Sequence, residues 1–285
     1  MAKIVGVHGI GQEVRGPEML RTAWAPALRD GVALSGAASP PPGEFDIAFY
    51  GDVFRPPGTK AVGMPGYTAA DITPGFEQDL LAGWWTAAAA CDAAVPGPAD
   101  LTKARTPRMA QRALNAISQS SFFSALTERV IISFIKQVHA YLTDERVRSE
   151  IQARVEAVVG PDTAVLVGHS LGSVVAYEAA AAHPEWDLAL VTLGSPLGIR
   201  NLVFDRLRPR PQNDTGHFPA AAATWTNVAD AGDVVALVKQ LAPLFGSRVQ
   251  DLQIHNGSKA HDVSPYLTAV QTGQAVAAGL ARRDR

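Results

Sequence analysis

The stretch that most constrains this chain runs from residue 163 to residue 172. An apolar run with strand character, Ala164-Val165-Leu166-Val167, passes straight into Gly168-His169-Ser170-Leu171-Gly172, and an apolar helical stretch begins at once. Changing from strand to helix in so few residues requires a sharp, strained turn. The two flanking glycines leave room for neighbouring backbone, so the serine hydroxyl is expected to stand exposed above the end of the sheet. The helix that follows brings a partial positive charge and an unclaimed Leu171 N–H to the same place. A Gly-Ser turn without chemistry is the bland alternative, and the strand–turn–helix setting argues against it.

The rest of the chain supplies a sheet for this turn to end on. Short apolar, often β-branched runs at 3–7, 45–50, 163–167, 188–193, 223–228 and 249–255 read as six strands. Helical stretches between them, at about 17–30, 144–159, 171–182, 234–241 and 264–282, imply an α/β fold. In it a mostly parallel sheet of about six strands carries helices on both faces. The gap between the second and third strands is far longer than one crossover helix needs. It opens on Gly and Pro, then becomes helical, and carries Trp84, Trp85, Phe122, Phe123, Ile131, Ile132, Phe134 and Ile135. Residues from about 55 to 145 therefore read as a helical cap inserted into a single domain of residues 1–285. Its apolar face is expected to wall a pocket, with ordinary helices packed on the sheet as the alternative.

Composition excludes several classes of function. A formal net charge of -2 offers no field for nucleic acid, and 18% charged residues beside 47% hydrophobic ones describe an ordinary globular chain. The single cysteine, Cys91, cannot form an intramolecular disulfide and sits among alanines, which suggests a buried, inert thiol. The N-terminal apolar run is too short for a secretory signal, and the stretch 122–142 is broken by Glu128, Arg129 and Lys136. A cytoplasmic location without a transmembrane segment is the expectation, with transient contact at a membrane surface left open. The turn Gly9-Ile10-Gly11 is followed by Glu13-Val14, so the G-x-G-x-x-G of dinucleotide sites is absent and no cofactor or metal is expected.

A serine hydroxyl becomes a nucleophile when a positioned base takes its proton and an acid orients that base. On this architecture the acid and then the histidine should follow the serine in the chain. Four histidines do. His183 ends the helix after the turn, on the wrong side; His217 lies in a proline-rich loop; His255 closes the last strand. His261, in the loop beyond that strand, is the preferred base, with His255 as competitor. For the acid, Asp233 is preferred over Asp230, which is closer to the strand end and suited to fixing its own turn. Asp262 adjoins the histidine and is disfavoured. The turn after the first strand, His8-Gly9-Ile10-Gly11, offers the Ile10 amide as partner to that of Leu171 for a developing oxyanion, with His8 holding the turn.

Together these segments resemble the α/β-hydrolase family, and within it the lipase-like and esterase-like serine hydrolases. The likeness rests on His8-Gly9-Ile10-Gly11, Gly168-His169-Ser170-Leu171-Gly172, Leu193-Gly194-Ser195-Pro196-Leu197-Gly198, Asp230-Ala231-Gly232-Asp233-Val234 and Ala260-His261, and covers the chain outside the insertion. It implies hydrolysis of small-molecule or lipid-like carboxylic esters through Ser170, His261 and Asp233, without a cofactor. It also implies that the Ile10 and Leu171 amides form the oxyanion hole and that Ser195 is a pocket wall. A serine peptidase or amidase on the same scaffold, or a non-catalytic lipid-binding protein with a hydrolase fold, are the competing expectations. The two antiparallel strands that often open such sheets are missing here.

Overall fold

The computed structural model describes residues 2–55, 66–98, 107–120 and 126–283, so Phe122 and Phe123 lie outside the described residues. Six strands form one sheet: β1 (Ile4–Val7), β2 (Phe45–Ala48), β3 (Val165–His169), β4 (Leu188–Leu193), β5 (Ala222–Asp230) and β6 (Val249–Ile254). Every neighbouring pair is parallel, in the order β2-β1-β3-β4-β5-β6. The chain leaves β1 toward β2 on one side and returns with β3 on the other, so the order reverses between β1 and β3. Loops leaving those two strands part there and open a crevice at their carboxyl ends.

Both faces of the central strands are covered, which is why β1, β3 and β4 are buried along their whole length and almost wholly apolar, whereas the edge strand β6 keeps Gln250, Asp251 and Gln253. Ile4, Val165, Val167 and Val191 point to one layer, with Leu20, Trp24, Leu28 and Val32 of α1 (Pro17–Leu34). The same layer takes Leu267 of α8 (Val263–Thr268) and Val276 of α9 (Val270–Arg283). Val5, Val7, Leu166 and Leu190 face the opposite layer, which contains α5 (Glu145–Glu156) and α6 (Leu171–Ala182). Helix α6 is buried from Leu171 through Ala180, so it can be apolar on every side.

Between β2 and β3 the described part of the long insertion is helical: α2 (Phe76–Cys91), α3 (Pro107–Ile117) and α4 (Glu128–Thr143). Leu80, Leu81, Trp84, Ile131, Ile132 and Ile135 join the second layer's core. Polar ties fix these helices in place. Glu77 of α2, buried, accepts from Lys136 Nζ at 2.7 Å and pairs with His139 Nδ1 at 2.6 Å, both on α4. Tyr141 of α4 donates to Glu178 of α6 at 2.6 Å, with Arg148 of α5 3.5 Å from the same carboxylate. Cys91, the last residue of α2, is exposed rather than buried.

Two helices differ from expectation. Residues 234–241 are not helical; only the four-residue α7 (Ala242–Phe245) follows. Asp233 Oδ1 takes the Val235 and Ala236 amides, and the Asp251 carboxylate takes those of Leu241 and Ala242. The Asp233 contacts are those of a helix cap, but Asp251 claims the Leu241 amide that a helix would turn inward, in a segment whose valines are poor helix formers. The predicted helix 264–282 is broken at Ala269, which is extended (φ -62°, ψ 136°). The break turns the chain so that both α8 and α9 pack along α1.

That packing brings backbone onto backbone. A Cβ at Gly273 of α9 would lie 2.0 Å from the Gly31 carbonyl oxygen of α1. Replacing an exposed helical glycine by alanine gains about 1 kcal/mol. Gly273→Ala should instead lose about 1–3 kcal/mol through overpacking, measured by denaturant unfolding. A gain would mean that the two helices do not touch there.

Candidate active site

Ser170 sits where β3 becomes α6, with φ 55° and ψ -129°, a conformation L-residues rarely adopt. Its amide donates to Leu193 O of β4 at 3.0 Å, and its carbonyl accepts from Ser173 Oγ at 2.6 Å, so the turn is bound from both sides. The flanking glycines are required by close approach: a Cβ at Gly168 would lie 2.5 Å from Gly172 O, and one at Gly172 2.2 Å from Val7 O. Contrary to expectation the serine is not exposed. Only 2% of Ser170 is accessible, because the turn lies at the floor of a cavity of about 610 Å³ under the insertion.

The loops leaving β5 and β6 bring a histidine and a carboxylate to this serine. Ser170 Oγ lies 2.9 Å from His261 Nε2, and His261 Nδ1 lies 2.7 Å from Asp233 Oδ2. Asp233 is 1% exposed, yet its carboxylate is fully engaged. Oδ1 accepts from Val235 N at 2.8 Å and Ala236 N at 3.2 Å, and Oδ2 also accepts from the Tyr266 hydroxyl at 2.8 Å. Burial alone would raise its pKa, but the His261 charge and hydrogen bond, with Lys239 and the Val235 amide, hold it below the ordinary carboxylate value. Lys239 Nζ donates to the Asp233 backbone oxygen.

The competing residues are elsewhere. Asp230, fully buried, accepts from Gly232 N at 2.7 Å and from Asn256 N, so it clasps the end of β5 to the chain beyond β6. His255 is exposed. His183 pairs with Glu156 and Glu185, and His217 Nε2 lies 3.1 Å from Arg210 O. Asp262 caps α8, accepting from Ser264 N at 2.9 Å. Ser195 does not line the cavity. It is buried behind the turn, 2.7 Å from Ser173 Oγ, and accepts from Leu197 N at 3.2 Å.

The turn after β1 runs against the serine: a Cβ at Gly9 would lie 2.8 Å from Ser170 Cβ. Ile10 lines the cavity, and among the described residues neither its amide nor that of Leu171 has a protein acceptor. His8 holds the turn, as its ring fits between two strand ends. Its Nε2 accepts from Tyr50 N at 3.1 Å, which leaves Nδ1–H to donate to Gly9 O at 2.7 Å. Trp84 of α2 and Phe134 of α4, with Leu126 before it, complete an apolar wall opposite Trp24 and Val235. Ile132 and Ile135 are fully buried in the core and take no part in that wall. Among the described residues no group of His, Cys, Asp and Glu is arranged to hold a metal ion.

Two neighbours carry structure that periodicity does not signal. His169 Nε2 donates to His261 O at 3.0 Å, its ring 4.8 Å from that of His261, so it pins the loop through its backbone. Tyr266 reaches Asp233 through a hydroxyl five positions beyond the histidine. A chemical signal for His169 did exist in the sequence: it lies inside the turn itself.

Comparison of the chain with protein-family models, with curated proteins and with solved structures gave no match. The functional reading therefore rests on geometry and chemistry.

Burial lowers His8 to about 4 and His169 to about 3. In the unfolded chain both take up a proton near 6.5. Above that pH neither affects stability. Below it the unfolded state binds protons that the folded state does not, so stability falls by about 1.4 kcal/mol per pH unit for each. Denaturant unfolding between pH 5.5 and 4.5 should show a slope shallower by about that amount in His169→Phe than in the unaltered protein. Equal slopes would mean that His169 is protonated in the folded state.

Proposed function

We propose that this protein is a serine hydrolase of the α/β-hydrolase type that cleaves carboxylic esters. The observation that carries the reading is the hydrogen-bonded chain Ser170–His261–Asp233, at 2.9 and 2.7 Å, on the floor of a largely apolar cavity. In this reading Ser170 Oγ attacks the ester carbonyl while His261 Nε2 accepts its proton. The same imidazolium then protonates the leaving alcohol, and water, deprotonated by His261, hydrolyses the acyl-enzyme. Asp233 keeps the Nδ1–H tautomer and balances the imidazolium charge. The Ile10 and Leu171 amides receive the oxyanion; both are donors with no other acceptor among the described residues.

The α/β class of the sheet and the reversal of strand order at β1 and β3 are compatible with this fold family. No described helix is long and apolar enough to cross a membrane. A cytoplasmic location belongs to the same proposal, supported by the exposed Cys91 thiol, which suits a reducing compartment.

A fluorophosphonate probe should label the folded protein at Ser170, and Ser170→Ala should abolish labelling and lower kcat on p-nitrophenyl esters by about 10⁶. Labelling elsewhere, or activity within tenfold of the unaltered enzyme, rejects the nucleophile. Asp233→Asn should cost up to about 10⁴ in kcat. Asp230→Asn should instead lower Tm, by setting an amide NH2 against the Gly232 or Asn256 amide, with kcat held within about tenfold. The reverse ranking would exchange the two carboxylates.

The wall of Trp24, Trp84, Leu126 and Phe134 favours acyl chains of medium length over acetate. Burial contributes about 0.8 kcal/mol per methylene, roughly fourfold in kcat/KM for each carbon added until the cavity is full. Phe134→Ala should move that limit to longer chains. A profile that is flat or falling from acetate to octanoate, beside turnover of peptide anilides, would replace the ester by an amide substrate.

A further inference from the structure

We infer that Tyr266 is a positioning residue of this site, its hydroxyl fixing the Asp233 carboxylate that orients His261. The inference rests on the serine hydrolase reading for its kinetic part only.

Tyr266 is the fourth residue of α8 and is fully buried. Its oxygen lies between two groups of the β5 end, 2.8 Å from Asp230 N and 2.8 Å from Asp233 Oδ2. A backbone amide only donates, and an ionised carboxylate only accepts. The phenol must therefore accept from Asp230 and give its one proton to Asp233. Burial raises the phenol's pKa, so that proton stays in place.

With this bond the four donors around Asp233 divide evenly. Two amides of the 233–236 turn hold Oδ1, while the Tyr266 hydroxyl and His261 Nδ1 share Oδ2. The amides alone fix one oxygen and leave the carboxylate free to pivot about it. Tyr266 is the contact that fixes the second oxygen from α8, the helix that directly follows the His261 loop. It thereby sets the distance between that loop and the acid. It also withdraws charge from the oxygen that faces the imidazole.

Removing the hydroxyl has opposite consequences for rate and for basicity. A pivoting acid orients His261 less well, so kcat should fall by about tenfold, a fraction of what an ångström of misplacement costs. KM should hold within about twofold. An Oδ2 relieved of the phenol proton is a stronger anion, so the imidazolium is favoured and the acid limb should move to higher pH than in the unaltered protein. Other groups beside that imidazole include Ser170 and His169 from the β3 end, His8 after β1, and Lys259 and Asp262 in its own loop. None of them changes in the variant.

The test uses the full chain with Tyr266→Phe, which keeps the ring, and with 3-fluorotyrosine placed at position 266, a stronger donor. Two readouts are taken: kcat, KM and the acid limb of kcat/KM on a p-nitrophenyl ester, and the NMR titration of His261 in Ser170→Ala protein, assigned with His261→Gln. Expected are a tenfold lower kcat and an upward titration shift for phenylalanine, and a downward shift for fluorotyrosine. Should Tyr266→Phe fail to fold, the fluorotyrosine protein alone decides. A Tm loss with kcat and both titrations unmoved would make Tyr266 a packing residue and overturn the inference. If the unaltered protein turns over no ester, the hydrolase reading falls, while the His261 titration still decides the role of Tyr266.

Discussion

An ionised carboxylate taken wholly out of water costs several kcal/mol unless every lone pair is answered, and Asp233 is answered from four directions. Much of the local architecture can be read as the consequence. The chain after β5 turns so that two of its amides point back onto Oδ1. Helix α8 is set where its tyrosine reaches Oδ2. His261 completes the set, and its other nitrogen then has one direction left to point, toward Ser170. Loss of any one donor leaves a buried charge short of a partner, so these elements are held together more firmly than their separate apolar contacts require.

The serine's position has an independent cause. Parallel strands all end on the same side, and the reversal of order between β1 and β3 leaves a gap there that no crossover fills. The turns that bear Gly9-Ile10 and Ser170 leave from the two sides of this gap. Close approach between them is possible only because Gly9, Gly168 and Gly172 carry no side chain. The insertion between β2 and β3 then roofs the gap with Trp84, Leu126 and Phe134. Charge compensation thus fixes the histidine, topology fixes the serine, and the two meet at 2.9 Å.

The central strands β1, β3 and β4 were legible because burial on both faces demands nearly continuous apolarity, and β2, β5 and β6 because short runs with β-branched or aromatic residues mark them. Their observed limits differ from the reading by two residues or fewer. The serine turn, the preference for His261 over His255 and the preference for Asp233 over Asp230 follow from chain order and from which loop can reach. The geometry places Ser170, His261 and Asp233 together. What the sequence conceals is side chains acting on distant backbone. Residues 234–241 have helical spacing, but Asp251, ten positions beyond Leu241, claims its amide, and no periodicity records that. Tyr266 looks like one more core aromatic of α8, because its hydroxyl's partners lie 33 and 36 residues away. Ile132 and Phe134 look alike in the insertion, yet one is core and the other faces the cavity.

The two buried histidines beside the site show how its polar groups are shared out. His8 and His169 each spend a ring N–H on a carbonyl, Gly9 O and His261 O, and burial keeps each neutral where an imidazole is ordinarily half charged. A charged His169 would stand 4.8 Å from His261 and, in the proposed mechanism, oppose the positive charge that His261 takes up. In the proposed mechanism a neutral neighbour favours a base at His261, and burial against Trp24 and Tyr266 keeps His169 neutral. The same burial makes the fold acid-sensitive below about 6.5, since unfolding releases both imidazoles to bind protons. Acid therefore weakens the fold through His8 and His169, the two imidazoles that flank the serine turn. The site's chemistry and the fold's endurance are thus coupled by the imidazoles that the chain keeps out of water.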